Sequence, residues 1–349
     1  MNQKLIITLS QYSTIVLVGW WTGWHIQPIV SLTRHIKNIN TVPDFLWIGW
    51  SDSQEERVAK EEYIRFNSIP TLKLATTRSF KILLYPFFLK LGFYKAWKIL
   101  RWIQDKNLCV FSKWWPGSVA IGIAAWSLWI PLYIHESDTV PGKSNRILSK
   151  FATKIFLGFD CAKQYFNSSK CEVIGQILDP VFFIQPTNLP TYQPTITWKT
   201  TKHHILVICG SQGSRIIFEE ILKNLENILQ LGELIIVLGK LNLEMRKEFE
   251  TKQATFDFKL WTFTIVDWIS QPDIAHLIQD CDIAITRWSA TTLAELTAFE
   301  HNPHLIIIPL PYSAGNHQYY NSLEYQKIGH TLLNQKDLNQ LTEIINKNV

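Results

Sequence analysis

The sequence predicts an α/β protein made of two Rossmann-like, doubly wound domains, and three observations carry that prediction. Short apolar runs alternate with helix-like segments along the whole chain, the pattern of parallel β-α units. The pattern starts twice, each time as a buried-looking strand, a tight turn and a helix: first at Thr14-Ile15-Val16-Leu17-Val18, then at His204-Ile205-Leu206-Val207-Ile208. The chain of 349 residues, 47% apolar and 18% charged, is long and apolar enough to bury two ordinary cores, which excludes a disordered protein.

In chain order, strands are expected at 14–18, 45–48, 107–111, 131–134, 155–157, 172–174, 204–208, 234–238, 282–286 and 304–308. Residues 178–200 hold Pro186, Pro190 and Pro194 after Pro180, with few charges and no period, and read as a linker. The expected organisation is therefore a first domain over 1–177, the linker over 178–200, a second domain over 201–334, and a tail over 335–349 packing back on the first domain. Two such halves facing a cleft would present ligands at the carboxyl ends of their strands. The five cysteines show no CxxC or CxxH spacing, and an odd number without an export signal predicts reduced thiols in the cytoplasm. The apolar core of residues 1–13 is too short for a signal peptide. No uncharged apolar run approaches the ~20 residues that span a bilayer. The net charge of +5 suits an anionic membrane surface or a phosphorylated ligand.

The turns carry the chemistry. Val18-Gly19-Trp20-Trp21-Thr22-Gly23-Trp24-His25 follows the first strand, where a phosphate loop belongs. His25 opens a helix there and titrates near neutral pH, so it can take a proton from an attacking hydroxyl. Glu136, in His135-Glu136-Ser137-Asp138, is the competing base. In the second half, Ser211-Gln212-Gly213-Ser214-Arg215 offers backbone N–H groups at a helix start; a plain strand-to-helix turn is the other reading. Thr286-Arg287-Trp288-Ser289-Ala290-Thr291-Thr292-Leu293-Ala294-Glu295 places two threonines at a helix start, suited to a diphosphate. Glu295 lies one turn in, where its carboxylate can accept two ribose hydroxyls. Gln318 and Asn321, three residues apart, share a helix face. Between residues 78 and 106, seven lysines and arginines alternate with Phe, Leu, Ile and Trp against a single acid, Asp105, and Pro86 and Gly92 are expected to break the stretch into pieces. This suits a bilayer surface, with a core helix bearing a solvated basic face as the alternative.

In this order and combination, from about residue 14 to 333, the motifs resemble the MurG family of glycosyltransferases. The resemblance implies a glycosyltransferase-B fold and transfer of N-acetylglucosamine from its UDP donor to the 4-hydroxyl of a muramoyl sugar. The acceptor would be a polyprenyl-diphosphate-linked muramoyl peptide, the anomeric centre would invert, and the product would be lipid II for peptidoglycan. It further implies peripheral attachment to the cytoplasmic face of the cell membrane, possible wall-synthesis partners, and no nucleic acid. It gives His25, or Glu136, the role of base, and places Thr22, Gly23, Trp24 and Asp138 in the loops around the reacting sugars. UDP-sugar contacts fall to Ser211, Gln212, Ala290, Thr291, Thr292, Leu293, Ala294, Glu295, Gln318 and Asn321. Backbone contacts to uracil fall to Ile269, for which a core isoleucine is the other reading. The chain departs from the pattern at Asp138, where the family has an asparagine amide, at Asn316, which replaces an acid, and at Asp179, which replaces an arginine. There is no DxD pair beside the donor motif, so no metal and no cofactor are expected. The alternatives are another lipid-acceptor transferase of this fold or a catalytically dead binding protein.

Against that pattern, tryptophan stands at glycine positions: 20, 21, 24, 114, 115, 129 and 288, with Trp50 a weaker case. The chain has 15 glycines and 15 tryptophans, and eight further glycines would bring it near the usual ~7%. A gene in which UGA specifies glycine, read with a table in which UGA specifies tryptophan, carries this signature. A protein that truly bears these indoles is the other reading, and it would favour a binding role.

Overall fold

The computed structural model describes residues 3–19, 23–39, 42–70, 85–103, 107–113, 117–183, 193–210, 212–254, 263–287, 289–311 and 317–349, without the side chains of 23–25, 85 and 317. The β-branched run at residue 14 favours extended backbone and forms β1 (Thr14–Gly19), buried on both faces. It lies in a seven-stranded parallel sheet with β2 (Asp44–Gly49), β3 (Arg65–Ser68), β4 (Leu108–Lys113), β5 (Leu132–Glu136), β6 (Lys154–Leu157) and β7 (Cys171–Val173), in the order β3-β2-β1-β4-β5-β6-β7. The helices of this unit are α1 (Gln3–Ser10), α2 (Gly23–Lys37), α3 (Gln54–Glu61), α4 (Tyr85–Trp102), α5 (Ser118–Ser127) and α6 (Lys143–Leu148). Successive strand residues feed opposite cores, as the period of two requires. Val16, Val110 and Ile134 pack with Ala96 and Leu100 of α4. Leu17, Phe111 and Tyr133 pack with Leu5 of α1 and Ile29 of α2.

The second unit repeats the plan. Its sheet runs β10 (Phe263–Val266), β9 (Gly232–Val237), β8 (His203–Ile208), β11 (Ile283–Thr286), β12 (His304–Ile307), β13 (Thr331–Leu332), again all parallel. Its helices are α7 (Arg215–Lys223), α8 (Leu225–Leu231), α9 (Met245–Ala254), α10 (Gln271–Leu277), α11 (Ala290–Leu296), α12 (His317–Gln326) and α13 (Leu341–Asn348). Strand order reverses between β1 and β4 in one sheet and between β8 and β11 in the other. These are the topological switch points, where the loops leaving neighbouring strands diverge and open a crevice.

All ten expected strands are present. Three more were not expected, and β3 and β13 show why: they sit at sheet edges, where partial exposure removes the apolar run that marks a strand. The structure describes the unit boundary, the linker and the tail, and corrects one other expectation, the break in α4. The chain divides into units at Pro180–Val181, and much of the anticipated linker is not free. Thr195 donates its N–H and hydroxyl to Asp273, at 2.8 Å each, and the Lys199 and Thr200 amides donate to the buried Glu233. Two carboxylates therefore staple residues 195–200 to the second unit. In the tail, Leu338, Leu341 and Ile345 join the second core beside Leu225 and Ile228, because the 341/345 stripe of α13 faces α8. Finally, α4 is continuous through Pro86 and Gly92. Pro86 falls in the first turn, where no intrahelical N–H is needed. Gly92 lets α4 approach its neighbours, since a Cβ there would lie 2.9 Å from the Pro70 carbonyl and 3.4 Å from Ala120.

The tryptophans separate into two kinds. Trp47 is fully buried in β2 and its Nε1 donates to the Gly19 carbonyl at 3.2 Å. Trp198 stacks on His204 at 4.4 Å and donates to the Leu277 carbonyl. Trp129 is 93% exposed, with φ of 58°. It occupies the left-handed position after α5, where its N–H bonds to Trp126 and the next N–H, of Ile130, bonds to Ala125. That is a Schellman cap, which is built around glycine. Trp129→Gly should stabilise the chain by about 1 kcal/mol: the left-handed penalty of ~1–2 kcal/mol is relieved and glycine's extra unfolded-state freedom offsets part. A thermal melt checks this, and an unchanged or lowered Tm contradicts it.

Candidate active site

In the first unit, Gly19 and Lys113 are register partners at the ends of β1 and β4. The loops that follow them, with Trp20, Trp21, Thr22, Trp114 and Trp115, lie outside the described residues. Gly23, Trp24 and His25 form the first turn of α2 by their backbone, so β1 delivers His25 to the switch point; its side chain lies outside the described residues.

The adjoining end of β5 carries a buried polar cluster. Glu136 is 3% exposed and saturated with donors. Its Oε1 accepts from the Asp138 amide at 3.0 Å, and its Oε2 from the Gly142 amide at 3.1 Å and Asn145 Nδ2 at 2.9 Å. Burial and the nearby charge of Asp138 push its carboxyl up to about 7, against the pull of these donors and of Lys113. Lys113, buried at the end of β4, donates to His135 Nδ1 at 2.7 Å and to Ser137 Oγ. Burial brings its ammonium down to about 8, while Glu136 and Asp138 oppose the change. His135 contacts the Gly175 carbonyl through Nε2 at 3.0 Å. A carbonyl only accepts, so Nε2 carries the proton and Nδ1 offers its lone pair to Lys113. Gln176 donates to the Ser137 carbonyl at 2.7 Å. Asp138 is half-buried on the loop these bonds hold. Sequence reasoning singled out Glu136 and Asp138 but not Lys113, Asn145 or Gln176. The available signal was a lysine closing an otherwise apolar strand. Asp179, where the family pattern has arginine, is held by Arg34 of α2 at 2.8 Å.

In the second unit, Ser211 and Trp288 lie outside the described residues, but the turn around them is fixed by neighbours. Gly213 has φ of 73° and Gly239 has φ of 75°. A Cβ on Gly213 would run into the Leu238 carbonyl oxygen, and one on Gly239 into the Gly213 amide. Buried Asn242 donates to the Gln212 carbonyl at 2.7 Å. Arg287, directly after β11, donates through Nε to Ser214 Oγ at 2.9 Å and through Nη1 to Gln335 at 3.0 Å, tying the β8 turn to the β11 turn. Ser289 caps α11 by accepting from the Thr292 amide. Ala290, Thr291, Thr292, Leu293 and Glu295 are buried and Ala294 half-buried. Gln318 and Asn321 are buried on α12, and Gln318 Oε1 has no hydrogen-bond partner among the described residues. Asn316 lies outside them. Ile269 has a buried side chain in the loop before α10, so only its backbone is available to a ligand.

Two parallel sheets in tandem, each with a switch point, and in the second a turn built on left-handed glycines, define the glycosyltransferase-B class of fold. The chain belongs to glycosyltransferase family 28: the family's N-terminal domain matches residues 15–157 and its C-terminal domain residues 204–349. It is similar to the UDP-N-acetylglucosamine–N-acetylmuramyl-(pentapeptide) pyrophosphoryl-undecaprenol N-acetylglucosamine transferases of Clostridium tetani and Geobacillus kaustophilus. The first is 26% identical over 319 residues, 91% of this chain and 84% of that one. The second is 27% identical over 327 residues, 93% and 86%. In fold it is similar to Acinetobacter baumannii MurG, with a TM-score of 0.70, 19% identity, and coverage of 96% of this chain and 92% of that one. The UDP-GlcNAc 2-epimerase of Methanocaldococcus jannaschii shares the fold at a TM-score of 0.61 and 12% identity, over 95% and 92%.

Replacing Gly213 with alanine should cost about 3 kcal/mol, through the left-handed backbone and the overlap with Leu238 together. A denaturant melt of Gly213→Ala measures this, and a loss below 1 kcal/mol would contradict the interlocked turn.

Proposed function

We propose that this chain is an inverting transferase that moves N-acetylglucosamine from UDP-N-acetylglucosamine to the 4-hydroxyl of the muramoyl sugar of lipid I, forming lipid II. The observation that carries this is the extent of the likeness: relatives that bear this activity in their names align over more than nine tenths of the chain, and the matching motifs fall at the carboxyl ends of the strands. In this reading His25 takes the proton of the attacking hydroxyl. Its oxygen bonds to the anomeric carbon as the bond to the β-phosphate oxygen breaks on the opposite face, which inverts the centre. UDP leaves toward the Gln212–Gly213 turn and the start of α11, whose Thr291 and Thr292 offer N–H and hydroxyl donors to the diphosphate. Glu295 accepts the ribose hydroxyls, Ile269 meets uracil through its backbone, and Gln318 and Asn321 meet the donor sugar. The unpartnered oxygen of Gln318, buried beside α12, supports that last assignment. Glu136 acts as the holder of loop 137–142 rather than as the base, because both of its oxygens already accept N–H groups.

The acceptor is a lipid, and α4 supports its access. No helix among the described residues is long and apolar enough to cross a membrane. However, α4 exposes Phe87, Leu91, Tyr94 and Trp102 along one stripe, with Lys98 within it and Lys95 and Arg101 at its edges. That is the make-up of a helix lying on an anionic surface, and the cytoplasmic face of the cell membrane is the surface we assign.

UDP release from UDP-N-acetylglucosamine with a polyprenyl-diphosphate muramoyl acceptor tests the reaction, in the chain as written and with glycine at 20, 21, 24, 50, 114, 115, 129 and 288. The glycine form should transfer, at least tenfold faster than the tryptophan form. Transfer by neither form would sink the assignment, and transfer to diacylglycerol alone would redirect it. For the membrane face, Leu91→Glu with Tyr94→Glu should weaken binding to vesicles containing anionic phospholipid by tenfold or more. Undiminished binding of the double variant would remove α4 from the account.

A further inference from the structure

The first unit buries a cation that the transfer step just described does not use. Lys113 is 1% exposed, and the two groups it bonds, His135 and Ser137, are neutral. Burial and the adjacent ammonium hold His135 well below the ordinary imidazole range, so it stays neutral. The anions that offset Lys113 are Glu136 and Asp138, which act on it through space. A buried ammonium with only neutral hydrogen-bond partners is costly. Its retention at the switch point, opposite Gly19, calls for a reason. The sequence supplies one: Asp138 stands where the family pattern has an amide, so two carboxylates crowd one strand end. Asp138 and Lys113 act on Glu136 in opposite senses, the acid raising its proton affinity and the cation lowering it. Among the described residues, the other groups bonded to this cluster or in register with Lys113 (Asn145 of α6, Gly175 and Gln176 after β7, and Gly19 of β1) bring no charge.

We infer that Lys113 is a positioning residue for the transfer reaction: its ammonium balances the Glu136–Asp138 carboxylate pair, keeping Glu136 ionised so that it can hold loop 137–142. This rests on the transferase reading. An ionised Glu136 accepts the Asp138 and Gly142 amides; a protonated one loses acceptor strength at both, and the loop loosens. Activity toward the lipid acceptor therefore falls as pH drops through the Glu136 titration.

The test is the pH profile of kcat/KM for the acceptor in Lys113→Met, Asp138→Asn and the double variant, using the transfer-competent form of the full chain. Lys113→Met should move the acid limb up by about one pH unit, which is about a tenfold loss below the limb. Asp138→Asn should move it down, and the double variant should return it toward the starting position. Lys113→Arg should keep most of the original profile, and KM for UDP-N-acetylglucosamine should not change. A uniform loss at all pH values in Lys113→Met, without recovery in the double variant, would reduce Lys113 to a structural role and overturn the proposal. An unmoved limb in Asp138→Asn, whose half-exposed site tolerates the change, would do the same. Carbon-13 NMR of the Glu136 carboxyl should show the same opposed shifts without turnover. If those shifts appear while no sugar is transferred, the transferase reading fails and the charge balance stands; if they are missing, the charge balance fails whatever the activity.

Discussion

Where a parallel sheet reverses its strand order, the backbone itself must face the ligand, and a side chain pointing into that crevice displaces it. The rest of the structure follows from this constraint. In the second unit it is met by two left-handed glycines packed against each other, with Asn242 and Arg287 fixing the turns on either side. The strand order puts those turns next to each other, and α11 and α12 bring the polar side chains of Glu295, Gln318 and Asn321 into the same unit. In the first unit the corresponding loops leave β1 and β4 from Gly19 and Lys113, and it is there that tryptophan replaces glycine in the sequence.

The two units handle charge differently. The second relies on backbone N–H groups and a guanidinium bound to neutral partners, Ser214 and Gln335, with no carboxylate paired to it among the described residues. The first unit buries both signs together. Lys113 lies buried there among Glu136 and Asp138, whose charges oppose the effect of its burial, and the N–H groups of loop 137–142 close around Glu136. In the first unit these contacts set the shape of a loop.

Most of the fold was legible in the sequence because central parallel strands are buried on both faces, and β1, β4, β8 and β11 accordingly read as unbroken apolar runs. The edge strands β3 and β13 lack that signature, since half of each is solvated or too short to show a pattern. Pro86 and Gly92 suggest a broken α4 in the sequence, but the first-turn position of Pro86 and the contact of Gly92 with Pro70 let the helix run on. The partner of the tail was not legible, because an amphipathic stripe shows that a helix packs but not against what. Of the site, the residues carried by contiguous motifs, such as Thr291, Thr292, Glu295 and Gln318, could be located. The Lys113 cluster could not, because its members come from β4, β5, α6 and the loop after β7, and only the sheet register brings them together.

What occupies the switch-point loops of the native protein decides whether the first unit has a backbone-lined crevice. Peptide sequencing by tandem mass spectrometry of the protein from its own cells measures this directly. Glycine at residues 20, 21, 24, 114, 115, 129 and 288, with tryptophan retained at 47 and 198, is the result predicted here. Tryptophan at 20, 21 and 24 would contradict it, and would mean that the first unit carries indole where a backbone-lined substrate crevice was inferred.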